Sequence, residues 1–71
     1  MKLMLGYIDK KGAHTTMPIK PEEVEAKLKS LYKRRFETVI WETDNRSYEL
    51  GWVTKLPDGK WTWYYDTDIF K

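Results

Sequence analysis

The chain contains no cysteine and only one histidine, His14, among its 71 residues. Without cysteine no disulfide can brace the fold, and a cytosolic compartment is the natural expectation. One histidine and no thiol leave no credible ligand set for structural zinc. No stretch reaches the roughly 20 apolar residues that a membrane-crossing helix needs. Met1-Lys2-Leu3-Met4-Leu5-Gly6 is too short an apolar run for a signal peptide. Without a secretion signal, Asn45-Arg46-Ser47 reads as a chance match to the glycosylation pattern. The four glycines are isolated, so no glycine-rich phosphate loop is present.

What the chain has in quantity is aromatic surface. A chain of this length buries only about 60% of the surface it exposes when unfolded, so a few large side chains must supply the core. Four tryptophans, five tyrosines and two phenylalanines, Phe36 and Phe70, are available. Each can bury on the order of 150–250 Å². One domain spanning residues 1–71 is expected. The formal net charge is +2, but it is unevenly spread. Residues 1–35 carry nine bases and four acids, a net of +5, while residues 36–71 carry four bases and seven acids, a net of −3. The acidic half also holds nine of the eleven aromatics. Its size suits a small protein of a compact genome such as a phage, which size alone does not establish.

The pattern predicts an α+β fold of order ββαβββ, a small antiparallel sheet packed on one helix. Residues 2–8 and 13–19 read as a hairpin around Asp9-Lys10-Lys11-Gly12. Met17 and Ile19 share one face of its second strand, and Pro18 marks that strand as an edge or an end. Pro21 opens a helix that runs to about Arg35. Glu22, Glu23 and Glu25 near its start, and Lys33, Arg34 and Arg35 near its end, complement the helix dipole. Val24, Leu28, Leu31 and Tyr32 form one apolar stripe. Glu23–Lys27 and Glu25–Lys29 are expected ion pairs, each contributing about 0.2–0.5 kcal/mol. Strands follow at about 36–43, 47–55 and 60–66, with a turn at Thr43-Asp44-Asn45-Arg46, and Asp66–Phe70 forms a tail. The order of the strands in the sheet stays open.

The last hairpin admits two registers. A two-residue turn at Asp58-Gly59 gathers Tyr48, Leu50, Trp52, Leu56, Trp61, Trp63 and Tyr65 on one face, as binary patterning favours. A type I turn with Pro57 first and Gly59 as a left-handed bulge residue pairs Leu56 with Lys60 instead. A one-residue slip exchanges the faces. Trp61, Trp63 and Tyr65 then share a face with Val53, opposite Tyr48, Leu50 and Trp52, and Gly51 faces Tyr65. Pro57 has no N–H to give Lys60, which makes the bulged turn the preferred register. One helix cannot cover both faces, so aromatics remain for a partner, a second subunit or the N-terminal hairpin.

Catalytic chemistry finds little footing. His14 has no nucleophile or orienting group nearby in sequence and reads as an exposed or edge-packed side chain. Glu37, Glu42 and Glu49 read as solvent-facing residues, because acid–base work needs carboxylates converging in a desolvated pocket. Asp66 and Asp68 lack the further ligands of a calcium loop. No cofactor is implied. The expectation is a non-enzymatic protein-interaction module, regulatory or accessory, acting alone or as a homodimer. Its expected contact residues are Trp61, Trp63, Tyr65 and Val53, since Trp and Tyr dominate interface hot spots. The alternative is nucleic-acid binding, with Lys27, Lys33, Arg34 and Arg35 on phosphates and sheet aromatics stacking on bases. A solvated helix face is the plainer reading of those bases, and the Pro-Asp-Gly-Lys turn carries no family signal.

Overall fold

The computed structural model describes residues 2–70, with the Phe70 side chain excepted; Phe70 as a core aromatic and the charge of Lys71 lie outside the described residues. Five antiparallel strands form one sheet: β1 (Leu3–Ile8), β2 (His14–Ile19), β3 (Glu37–Glu42), β4 (Asn45–Lys55) and β5 (Trp61–Tyr65). Their order across the sheet is β2-β1-β3-β4-β5. A single α-helix, α1 (Val24–Arg34), connects edge strand β2 to central strand β3. The expected α+β architecture is therefore present, and the N-terminal hairpin joins the meander through β1 against β3.

Local chemistry accounts for each element's ends. In the first hairpin the Asp9 carboxylate accepts from the Lys11 and Ala13 amides at 2.8 and 3.0 Å, which holds the loop closed. Pro21–Glu23 forms a 3-10 turn ahead of α1, so the α-helix begins at Val24 rather than Pro21. The Lys20 amide donates to the Glu23 carboxylate at 3.1 Å, and the Glu23 amide donates back to the Lys20 carbonyl at 2.9 Å. Glu23 thus works as a cap instead of pairing with Lys27. Glu25–Lys29 is the one ion pair among the described residues, at 3.6 Å and exposed. At the other end Arg35 turns left-handed, with φ 59° and ψ 46°. Its amide donates to the Tyr32 carbonyl and that of Phe36 to the Leu31 carbonyl, both at 3.1 Å. This is a Schellman cap, closed by the apolar pair Leu31 and Phe36.

Two β-sheet irregularities decide which side chains face the helix. The β4–β5 turn is the bulged one: the Leu56 amide donates to the Lys60 carbonyl at 2.7 Å, and Gly59 has φ 91°. Val53 consequently pairs with Trp63 and Gly51 with Tyr65. Between β3 and β4 the register shifts twice, around Trp41. Ile40 pairs with Gly51 and Trp41 with Glu49, which leaves Leu50 as an extra residue. Leu50 therefore turns into the helix-side core instead of sharing a face with Trp52. Glu42 pairs with Asn45, so β4 starts earlier than its sequence suggests, and Arg46–Tyr48 bow out of the ladder.

One cluster fills the space between sheet and helix: Leu3, Leu5, Ile19, Val24, Leu28, Leu31, Phe36, Ile40, Leu50, Val53 and Ile69. Ile69 belongs to a final 3-10 turn, Thr67–Phe70. The tail is anchored by the Asp66 amide, which donates to the Leu50 carbonyl at 2.7 Å. Asp66 also caps this turn, its carboxylate accepting from the Asp68 amide at 2.9 Å.

Candidate functional site

The helix covers one face of the sheet, and the strand registers distribute the aromatics between the two faces. On the helix side lie Val53, which is fully buried, and Trp61, Trp63 and Tyr65, half-buried against the core cluster. Trp63 stacks on Tyr65 at 6.1 Å between ring centroids, and Lys29 of α1 sits 5.9 Å from the Trp63 ring. The four residues expected to make a contact face are thus gathered together, but beneath the helix. Val53 has no surface to offer a partner.

The opposite face carries no helix. Trp52 and Tyr64, directly paired across β4 and β5, pack ring against ring there at 4.8 Å between centroids, tilted by 34°. Tyr64 is 49% exposed. Beside Trp52 runs a shallow groove of about 580 Å³, with Gly6, Ile8, Val39 and Trp41 among its lining residues. His14 and Thr16 of β2 border it on one side, and Glu37 and Glu49 contribute carboxylates. Neither glutamate has an ion-pair partner among the described residues.

Trp41 anchors this face. It is the one buried hydrophobic side chain outside the helix-side cluster among the described residues. Two features make room for it. A Cβ on Gly6 would lie 3.1 Å from the Trp41 ring, so the absent side chain is what lets the indole lie across β1. The bowed segment Arg46–Tyr48 brings the Arg46 guanidinium over the ring, 4.0 Å from its centroid. A cation over an indole face is attracted by the ring quadrupole, and the arginine shields the indole from water.

The basic residues behave separately. Lys27, Lys33, Arg34 and Arg35 are all exposed, at the helix rather than at the open face. Arg34 lies over the Phe36 ring at 4.6 Å. A strand of nucleic acid stacked on Trp52 and Tyr64 would have the whole sheet between it and these charges. His14 is exposed on edge strand β2. Among the described residues, no three His, Asp or Glu side chains come together as a metal site requires. No helix among them is long and apolar enough to cross a membrane.

Sequence reasoning did not single out Trp52, Tyr64 or the Trp41–Arg46 stack. The signal was present in part, since the bulged register that pairs Val53 with Trp63 also pairs Trp52 with Tyr64. What was missing was the side on which the helix lies. No family model, curated protein or solved structure matches this chain.

Proposed function

We propose that this chain is a non-enzymatic protein-interaction module, regulatory or accessory, that docks a partner on the open face of its sheet. The observation that carries the reading is the uncovered Trp52–Tyr64 ring pair at the border of a groove on the face the helix leaves bare. Trp and Tyr supply rigid contact area at small entropic cost, which is why they dominate interface hot spots. The partner that fits is a protein surface with an apolar anchor for the groove and a basic residue beside it. The anchor meets Val39, Ile8 and Trp52, and a basic group meets Glu37 at one end of the groove or Glu49 at the other. The cysteine-free sequence supports a cytosolic setting.

Those same carboxylates oppose phosphate, so nucleic acid is disfavoured at this groove. The test is affinity capture from lysate of the source cell, with and without nuclease, using the wild type, Trp52→Ser and the helix variant Lys33→Ser/Arg34→Ser. One protein should survive nuclease, persist with the helix variant and be lost with Trp52→Ser. Recovery that vanishes with nuclease, or that weakens steeply with salt and depends on the helix bases, would replace this reading with nucleic-acid binding.

A further inference from the structure

The two edges of the sheet are built differently. Hydrogen bonds in an antiparallel pair alternate, so one bond fixes the phase for the strand. In the first hairpin the Asp9 amide donates to the Ala13 carbonyl at 3.1 Å. Counting along the register from there, His14, Thr16 and Pro18 direct their backbone nitrogens away from β1. Pro18 therefore places its missing donor on the outer edge, where it blocks strand addition. At the opposite edge the Leu56–Lys60 and Leu50–Asp66 bonds set the phase of β5. Thr62 and Tyr64 bond inward to β4, and Trp61 and Trp63 present their N–H and C=O groups outward. β5 reads Trp-Thr-Trp-Tyr-Tyr and contains no charge, proline or bulge. Among the described residues, β5 thus lacks the charged, proline and bulge guards of an edge strand.

We propose that β5 pairs antiparallel with β5 of a second copy of this chain, about a two-fold axis at Trp63, to give one continuous ten-stranded sheet. Trp63 exchanges both backbone hydrogen bonds with its counterpart. Trp61 lies across from Tyr65 and Thr62 across from Tyr64, so self-pairing sets no like charges opposite each other. The axis is perpendicular to the sheet, which puts both helices on one side and joins the two open faces on the other.

Charge on the helix flank favours a second copy over an unrelated strand. Lys29 is level with Trp63, and the 3-10 turn before α1 touches the one after β5, so α1 runs antiparallel to β5. One helical turn rises about as far as two strand residues extend. Glu25 is then level with Tyr65 and Lys33 with Trp61. Across the two-fold, Glu25 of each copy comes level with Lys33 of the other; these two opposite-charge approaches outnumber the single Lys29–Lys29 approach at the axis, where each Lys29 keeps Glu25 of its own chain at 3.6 Å. The pairing also stops at two, because the remaining edge of each copy is the one blocked by Pro18.

The experiment measures mass against concentration by sedimentation equilibrium, with amide hydrogen exchange on the same samples. The wild type should reach twice the 8.6 kDa chain mass. Protection of the Trp63 amide should rise with the dimer fraction, while that of Thr62 and Tyr64 stays high throughout. Thr62→Lys adds an edge guard on an inward-bonded residue outside the core, and should weaken association at least about tenfold. Trp52→Ser, which alters only the open face, should leave the mass unchanged. A chain that remains monomeric up to about 1 mM, beyond a micromolar or tighter dissociation constant, overturns the proposal. So does a dimer that survives Thr62→Lys without protecting the Trp63 amide. A dimer dissociated by Trp52→Ser would assign self-association to the open face instead.

Discussion

The two faces of the sheet spend their aromatic residues differently. Beneath the helix, Trp61, Trp63 and Tyr65 close the flank of an eleven-residue apolar cluster. On the open side only Trp41 is buried, and it is held by a glycine gap and an arginine instead of an opposing layer. Among the described residues, Trp52 and Tyr64 make their ring contact with each other. The contrast teaches that aromatic content alone does not locate a binding surface. What separates an anchor of the core from a candidate contact residue is which face the helix takes.

That contrast can be broken most forcefully from the helix side. Leu28→Ala removes a fully buried side chain from the centre of α1. It should cost about 2–5 kcal/mol, read as a lower urea midpoint. Gly6→Val tests the one crowded spot on the open side. Its new side chain meets the Trp41 ring, and the strain should cost about 1–3 kcal/mol and alter the near-ultraviolet dichroism of the indole. A stability loss as small as that of an ordinary exposed substitution would show that Trp41 is not held by that gap. Trp52→Ala should cost less than Leu28→Ala, with about 0.5–1.5 kcal/mol from the lost ring pair beyond the area it buries, while abolishing partner capture. If its stability cost equalled that of Leu28→Ala, the open face would be structural and the division of roles would fail. Smallest, and opposite in sign, is Arg35→Gly. It relieves a left-handed non-glycine residue and should raise stability by about 1 kcal/mol without changing partner capture.

Much of the architecture was legible because local rules agreed. The helix stripe Val24, Leu28 and Leu31 is buried as its spacing requires. The edge position of β2 follows from Pro18, and the register of the last hairpin follows from Pro57 and Gly59. Three features were not legible. Glu23, expected to pair with Lys27, instead caps the turn, its carboxylate accepting from the Lys20 amide. Leu50 changed faces because the extra residue sits in β4 opposite Trp41, and no local motif announces a bulge there. Arg46 reached Trp41 only through the bowed segment produced by that same irregularity.

The sequence by itself determined the elements, the edge strand and the turn that sets which aromatics share a face, since each depends on neighbours along the chain. Only the tertiary structure decided which of the two aromatic faces is covered. That choice depends on the strand order and on the side to which the β2–β3 connection lays the helix, while the inserted residue in β4 adds Leu50 to the covered face. It rests on burying apolar area against the single helix, a sum over residues far apart in sequence.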